Sequence, residues 1–291
     1  MDTIKPVIII DSCTDLPYSY IMEQRATVVN FTYQFKGKEN VDDFFQSIDP
    51  KSFYDDVRAG EMPTTSQVNS DEYIKTFRPF IEKNIPVISL SFSSALSGSY
   101  GSSVLAKDML LEEYPDADIT LIDTKAASLG SGLIAWNAIK MLKEGASKEE
   151  IIQWVEDNKL KVAHWFTVGD LNHLKRGGRV SGATAFIGTM LDIKPILHVD
   201  NEGRLIPVTK VKGRKKSIRA LFEKLQETIV NPDDQTIFIS HGDALEDAQY
   251  LGDLIKAKYN VKDIVFNNVG PVIGSHSGPG TLALFFLSSG R

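Results

Sequence analysis

Residues 270–281 hold the densest group of side chains in this chain that could do chemistry. His276 and two serines lie among four glycines and two prolines, and the apolar run 282–287 follows at once. Glycine lets a ligand approach the backbone closely, and proline stiffens the segment. We therefore predict a rigid loop that presents an imidazole and hydroxyls to a ligand. A tight turn with a solvated histidine is the alternative.

Residues 93–99, Ser-Ser-Ala-Leu-Ser-Gly-Ser, stand between a predicted strand and a predicted helix. A helix N-terminus offers backbone N–H groups and a positive dipole end to a phosphate or a carboxylate. Ser97 can add a hydroxyl donor, and Gly98 permits close approach. Because the segment has no lysine and the chain has no G-x-x-x-x-G-K-[ST] motif, a nucleotide site of that type is not expected. The alternative is a serine that only caps the helix.

Residues 63–67, Pro-Thr-Thr-Ser-Gln, precede a second predicted helix start. Their hydroxyl and amide groups can donate hydrogen bonds to an anion, and Thr65 and Ser66 are the candidates. Helix capping by Ser66 or Ser70 is the alternative.

Asp11 and Asp15 follow the first predicted strand, with Cys13 between them. Paired aspartates can hold a metal ion or act as acid and base. No His or Glu cluster with metal-ligand spacing accompanies them, so capping and loop order are the favoured roles. Cys13 has no base partner in the sequence and is not expected to be a nucleophile.

Two segments concentrate positive charge. Residues 171–181 join a short helical stretch to Gly177, Gly178 and Arg179, and arginine beside glycine suits bidentate contact with a carboxylate or phosphate. A glycine at the helix end with cations beside it is the alternative. Residues 210–219 hold six lysines and arginines, which form either a solvated helix start or a docking face for an acidic partner.

Sequence motifs of common enzymes are missing. No G-x-S-x-G, H-E-x-x-H, paired C-x-x-C or G-x-G-x-x-G motif occurs. No arrangement combines a nucleophile, a base and a group that orients the base. The residues therefore support a site for a small anionic ligand better than catalysis, and no catalytic residue, metal ion or cofactor is predicted.

The elements of the first half must bring these candidates together. Apolar runs at residues 7–10, 86–92 and 119–122 each end in a polar loop, and helical patterns cover 100–113 and 133–143. Alternating strands and helices predict a Rossmann-like parallel sheet with helices on both faces. Ligands of such sheets bind at the carboxyl ends of the strands, where this sequence keeps its Asp, Ser, Thr and Gly residues.

The second half departs from simple alternation and predicts an α/β domain with a mixed sheet. It follows a helix that begins with a capping box from Ser147 to Glu150 and ends near Asn158. Its predicted strands are 162–168, 193–199, 205–211, 236–240 and 264–266, the second and third forming a hairpin, and its predicted helices are 216–229 and 245–259. We predict domains at 1–160 and 161–291, with the ligand site between them.

Composition sets broad limits on function. The 291 residues are 42% hydrophobic and 24% charged, as in globular proteins, and the net charge of −6 disfavours a nucleic-acid binder. The single cysteine cannot form an internal disulfide, and no signal peptide or membrane-spanning run is apparent. We expect a cytoplasmic protein.

Several motifs occur together in an order that resembles the DegV family. They span nearly the whole chain and include the glycine-rich segment with His276. The others are Asp11-Ser12 with Asp15-Leu16, Thr64-Thr65-Ser66-Gln67, residues 93–100, Leu174-Lys175-Arg176-Gly177-Gly178-Arg179-Val180 and Ile193-Lys194-Pro195-Ile196-Leu197.

The resemblance implies a function for the site. Proteins of this family have two α/β domains and hold a long-chain fatty acid, such as palmitate, between them. By this resemblance Thr65, Ser97 and His276 bind the carboxylate, with Ser66 and Gly98 beside them. An apolar tunnel that holds the acyl chain is consistent with the physical reading, because burying the tail supplies affinity while a few donors fix the head group.

The resemblance also implies a partner. Family members present the acid to a separate fatty acid kinase, which binds the ATP, so the chain itself is not expected to be an enzyme. Arg179, and more weakly Arg204, are the expected contacts for phosphate or for the kinase. A transient membrane contact for ligand exchange is a further expectation. The alternative function is a small-molecule hydrolase or phosphotransfer enzyme that uses Ser97 and His276.

Overall fold

The computed structural model describes residues 4–180 and 192–291. Within these ranges thirteen strands form three sheets and are accompanied by ten α-helices. Ser181, the last residue of the cationic motif at 171–181, lies outside the described residues. None of the described helices is both long enough and apolar enough to cross a membrane.

The elements alternate along the chain. The strands are β1 Val7–Asp11, β2 Thr27–Val29, β3 Thr32–Phe35, β4 Lys38–Val41, β5 Thr64–Ser66, β6 Val87–Ser91, β7 Ile119–Asp123, β8 Val162–Thr167, β9 Ile193–Val199, β10 Leu205–Lys212, β11 Thr236–His241, β12 Asp263–Asn268 and β13 Leu282–Leu287. The helices are α1 Tyr18–Gln24, α2 Pro50–Arg58, α3 Ser70–Ile81, α4 Ser99–Glu113, α5 Leu129–Lys143, α6 Lys148–Asn158, α7 Leu171–Arg176, α8 Arg214–Thr228, α9 Leu245–Lys258 and α10 Pro271–Ser277.

The parallel sheet of the first half has the order β2-β1-β6-β7. Successive side chains of β1 point to opposite faces, so Ile8 and Ile10 pack with α5 while Ile9 packs with α3 and α4. Both faces are therefore covered by helices, which confirms the predicted Rossmann-like arrangement.

The mixed sheet of the second half has six strands in the order β10-β9-β8-β13-β11-β12. Only β11 and β12 run parallel, and the other neighbours are antiparallel. The predicted hairpin is present as β9 and β10, with an irregularity between Pro207 and Thr209.

Helix α5 lies between these two sheets. One side contacts β1 and β6, and the other contacts β8, β11 and β13. It begins at Leu129, one turn before the predicted start at residue 133, and residues 129–135 are all buried, as expected of a helix enclosed by other elements.

A small antiparallel sheet, β4-β3-β5, was not predicted. Thr65 pairs with Tyr33 in it, so the segment before the predicted helix start is a strand, and the helix itself follows as α3. Threonine is β-branched and suits a strand. Neither Ser66 nor Ser70 caps α3, because the side chain of Asn69 accepts the N–H of Glu72 at 3.0 Å.

The predicted glycine-rich loop contains a helix instead, α10. Pro271 occupies its first turn, where proline is well tolerated, and Gly278 at φ +76° ends it. At Gly274 a side chain would collide with the Tyr54 ring, so glycine lets the helix lie against α2. Tertiary packing therefore overrides the poor helix propensity of this segment.

Candidate functional site

A cavity of about 310 Å³ lies beyond the carboxyl end of β6. Its walls come from β5, α10, the segment that joins β6 to α4, and the six-stranded sheet. The volume is at the lower end of the range for small-molecule sites. The predicted polar segments thus meet at one place, although they are far apart in the sequence.

His276 is held at the polar end of the cavity by two contacts. Its Nε2 lies 2.7 Å from the Thr65 hydroxyl, so β5 and α10 are joined directly by the two side chains. On its other edge the ring packs on Gly177, where any side chain would collide with Nδ1. Gly177 therefore has a packing role at the site as well as being the residue that follows α7.

His276 is neutral near pH 7. Burial lowers its pKa to about 4, and the neighbouring Arg179 guanidinium adds to the shift. The neutral ring has one donor and one acceptor nitrogen, so it can exchange a hydrogen bond with Thr65 or donate one to an anion.

Ser97 and Ser99 have different positions despite their similar sequence context. The Ser99 hydroxyl is buried and accepts the N–H of Val68 at 3.0 Å, so it holds the start of α4 against the chain after β5. Ser97 lines the cavity, lies 2.9 Å from the Ser99 hydroxyl and accepts the Ser99 N–H at 3.2 Å. Gly98 is the N-cap of α4, and Ser97, one residue earlier, accepts the first N–H of the helix, so the serine satisfies that N–H without being the N-cap.

The two candidate arginines differ in their position relative to the cavity. Arg179 lines the cavity, where its Nε donates to the Leu96 carbonyl at 3.3 Å and its Nη1 donates to the Gly177 carbonyl. Arg204 does not line it. It is paired with Asp200 at 2.9 Å and with Glu202 at 2.8 Å in the turn between β9 and β10.

The structure thus brings six of the seven predicted site residues to one cavity. Arg204 is the one left outside the cavity. Its hairpin nevertheless reaches the same region, as shown by the Ser93 hydroxyl, which donates to the Gly203 carbonyl at 2.9 Å. The six that line the cavity are Thr65, Ser66, Ser97, Gly98, Arg179 and His276.

Ser97 and His276 do not form a catalytic pair. The hydrogen bond of His276 Nε2 goes to Thr65, and that of the Ser97 hydroxyl goes to Ser99. A nucleophilic serine needs its base within hydrogen-bond distance. The described residues also contain no group of three or more His, Cys, Asp or Glu side chains that could hold a metal ion.

The inner part of the cavity was missed by the sequence interpretation. It is mainly apolar and aromatic, with Phe31 and Phe92 in edge contact and with Phe166, Ala283 and Phe285 from the six-stranded sheet. Alternate residues of β13 face the cavity. This alternation is visible in the sequence, but strands of an ordinary hydrophobic core show the same pattern, so it does not reveal a cavity.

Three buried carboxyl groups lie beside the cavity, and we call them the acid cluster, Asp11, Asp15 and Asp42. Each is at most 2% exposed, and none forms an ion pair within the described residues. Burial raises the pKa of Asp11 and of Asp15 to about 7 and raises that of Asp42 well above its ordinary value.

The acid cluster fixes the segments that carry the site. Asp11 accepts the N–H of Phe92 at 2.6 Å, just before the Ser97 segment. Asp15 accepts the N–H of Gly270 at 3.0 Å, just before α10, and the hydroxyl of Ser128 at the cavity wall. The expectation that these aspartates order loops agrees with these contacts.

Comparison with known proteins adds sequence and structural relatives. The model of the DegV family matches residues 5–289. A DegV domain-containing protein of Clostridium perfringens is 49% identical over 283 residues, 97% of each chain.

Two solved structures are similar over almost their full length. A DegV family protein of Thermus thermophilus, described by its fatty acid binding, has a TM-score of 0.88 at 30% identity and covers 98% of this chain and 99% of its own. DegV of Bacillus subtilis, described as a fatty acid binding protein, has a TM-score of 0.84 at 31% identity, with 99% and 100% covered.

Proposed function

Because this chain belongs to the DegV family, we propose that it binds a long-chain fatty acid in the cavity beyond β6. The carboxylate lies at Thr65, Ser97 and His276, with Ser66 and Gly98 beside it. The acyl chain extends along the aromatic inner part. The fatty acid binding described for the Thermus and Bacillus relatives supports this assignment.

The observation that carries the proposal is the polarity of the cavity. Thr65, Ser97 and His276 are gathered at one end, and the side chains that line the rest are mainly apolar and aromatic. Each buried methylene contributes about 0.8 kcal/mol, so the tail supplies most of the affinity. The donors at the polar end fix the orientation of the acid.

The polar end is suited to an anion although His276 is neutral. Hydroxyl groups of Thr65 and Ser97 can turn toward a carboxylate, and the N-terminus of α4 begins beside Ser97. Arg179 adds a positive charge at the same end. A bound carboxylate also favours the protonated imidazole, so binding at acid pH takes up protons.

Head-group binding can be tested with pairs of variants on the same element. Thr65→Ala and Ser97→Ala each remove a hydroxyl that lines the cavity, and each is expected to weaken binding by about 1.5–3 kcal/mol, roughly 10- to 150-fold. Thr64→Ala and Ser94→Ala are the matched controls, because both side chains are exposed and neither lines the cavity.

The measurement is titration with a long-chain acid, together with mass spectrometry of lipid extracted from purified protein. Recovery of no fatty acid, with no binding in titration, would refute the proposal. Equal affinity of Thr65→Ala and Thr64→Ala would instead place the carboxylate elsewhere.

We further propose that the protein is not itself an enzyme and presents the carboxyl group to a separate kinase. This follows the family resemblance and is supported by the hydrogen bonds of His276 and Ser97, which go to Thr65 and Ser99 and not to each other. Arg179 at the cavity and Arg204 on the adjoining hairpin are the candidate contacts. Arg204→Ala tests the partner face, because this side chain is half exposed and outside the cavity.

Arg204→Ala is expected to slow kinase-dependent acyl-phosphate formation while the affinity for the fatty acid stays unchanged. Lys256→Ala on α9, another exposed cation, serves as the control. Equal kinase rates for both variants at low salt, where charge effects are strongest, would place the docking face elsewhere.

We also propose a domain division near residue 160. All strands of the parallel sheet precede residue 124, and all strands of the six-stranded sheet follow residue 161. Limited proteolysis that yields two stable fragments cut near this position would support the division, and cuts only elsewhere would contradict it.

A further inference from the structure

We infer that His164 and Phe285 form a fixed wall at the inner end of the cavity and set the length of the acyl chain that fits. This inference rests on the proposed function and adds the residues that select among fatty acids.

Strand β13 leads from the polar end of the cavity to the wall. Thr281, Ala283 and Phe285 all line the cavity, and Thr281 follows α10 closely, since its hydroxyl donates to the Ser277 and Gly278 carbonyls at 3.1 and 2.8 Å. At about 3.3 Å per residue, Phe285 lies roughly 13 Å beyond Thr281.

His164 stands beside Phe285 at this depth. The register of β8 and β13 pairs the two residues, and their rings meet edge to face with centroids 5.3 Å apart. An acyl chain that follows β13 from the polar end therefore meets these two rings last.

The His164 ring cannot turn or move back without losing contacts. Its Nδ1–H donates to the Val162 carbonyl at 2.8 Å, and its Nε2 accepts the N–H of Ala127 at 3.3 Å. Behind it, α5 approaches so closely that a side chain on Gly130 would collide with the ring. Burial lowers the pKa of His164 well below its ordinary value, so the ring presents an uncharged edge to the cavity.

Two hydroxyl groups that line the cavity on the way to this wall already have partners, those of Ser128, which follows Ala127, and of Ser240, which pairs with Ala283. Ser128 donates to Asp15, and Ser240, 2.9 Å from the Ser128 hydroxyl, donates to Ser128 in turn. A carboxylate at this end would have to take the Ser128 hydroxyl from Asp15 and would lie beside that second carboxyl group, whereas the partners of Thr65 and Ser97 are an imidazole and a hydroxyl. This favours the methyl end of the acid at the wall and the carboxyl end at Thr65 and His276.

Two neighbouring phenylalanines provide a matched test. Phe285 faces the cavity, whereas Phe286 faces the opposite side of the sheet, in the core that contains residues of α8 and α9. Both are buried, at 2% and 0% exposure. Phe285→Ala and Phe286→Ala therefore remove the same ring from adjacent positions, but only the first opens the cavity.

The experiment offers each purified protein an equimolar series of straight-chain saturated acids and measures the bound acids by mass spectrometry. For Phe285→Ala we expect the preferred acid to lengthen by about two carbons or more, because the space left by a removed ring is only partly closed by relaxation. Phe286→Ala should keep the wild-type preference. An unchanged preference in Phe285→Ala, or the same shift in both variants, would overturn the inference.

A filling variant guards against loss of folding in the alanine variants. Ala283→Leu narrows the cavity between the polar end and the wall and should shift the preference to shorter acids. Phe285→Leu and Phe286→Leu repeat the comparison of the two alanine variants with a smaller loss of side-chain volume. Ala283→Leu that binds acids with wild-type length preference would also overturn the inference. A wild-type protein that binds no acid of the series would refute the proposed function instead, so the two failures are distinguishable.

Discussion

The polar end of the cavity and the acid cluster lie close together, and both bury ionisable groups. At the cavity, burial and the charge of Arg179 lower the pKa of His276 to about 4. In the acid cluster, burial raises the pKa of Asp11 and of Asp15 to about 7 and that of Asp42 well above its ordinary range. Opposite shifts thus favour the uncharged form in both regions.

The difference between the two regions lies in what their hydrogen bonds reach. Thr65 and His276 bond to each other, Ser97 bonds to Ser99, and all three line the cavity, so a ligand can replace these bonds. Asp11 and Asp15 accept backbone N–H groups from distant segments. The first region is arranged to exchange partners with a ligand, and the second holds the backbone that carries the first.

The largest expected effect tests this supporting role. Asp15→Ala leaves the Gly270 N–H and the Ser128 hydroxyl without their acceptor, and we expect it to lower the free energy of unfolding by about 3 kcal/mol. Denaturant unfolding measures the loss. Asp15→Asn keeps an acceptor for Gly270 and should lose clearly less, and equal losses in both variants would show that the hydrogen bonds to Asp15 are not what matters.

The acid cluster also shows what could be predicted from the sequence. Polar residues after β1 and β6 were predicted to meet at one edge of a parallel sheet, because strand order and direction follow from alternation of strands and helices. That Asp15 would reach Gly270 was not predictable, since the two residues are 255 positions apart and no local pattern encodes their contact.

The candidate site likewise has a part that could be predicted from the sequence and a part that could not. Its polar residues were found because Ser, Thr, Gly and His are unusual at such density, and because their order resembles one family. The helix α10 was missed because its backbone is stabilised by packing of Gly274 against Tyr54 and not by local propensity. Phe285 and Ala283 were missed because a cavity wall and a solid core have the same alternating pattern.

A second prediction concerns the pH dependence of the acid cluster. Asp42 has one buried oxygen without a partner, and both burial and the nearby Asp15 raise its pKa. A raised pKa means that the folded protein holds a proton that the unfolded chain releases above about pH 4. The associated stability is therefore present at lower pH and is lost as pH rises through the folded-state pKa.

Asp42→Asn removes this dependence. The free energy of unfolding of the variant, minus that of the wild type, should increase with pH above about pH 4, by up to about 1.4 kcal/mol per pH unit. Chemical denaturation at a series of pH values measures the difference. A difference that stays constant or falls with rising pH would show that Asp42 is ionised in the folded protein.

The smallest expected effect, with the opposite sign, belongs to His276. Its folded-state pKa of about 4 is below the ordinary 6.5, so the stability linked to the neutral ring is present above about pH 6.5 and is lost as pH falls through 4. Since the ring borders the cavity, we expect only about 1 kcal/mol of this loss between pH 6.5 and 5.

His276→Gln keeps a neutral polar side chain and should lose less stability than the wild type over that interval. A saturating fatty acid should reduce the wild-type loss as well, because a bound carboxylate favours the imidazolium. If the ligand still binds but leaves the pH profile of the wild type unchanged, the carboxylate does not lie beside His276. In that case the polar end of the cavity would not be the region that exchanges hydrogen-bond partners with a ligand.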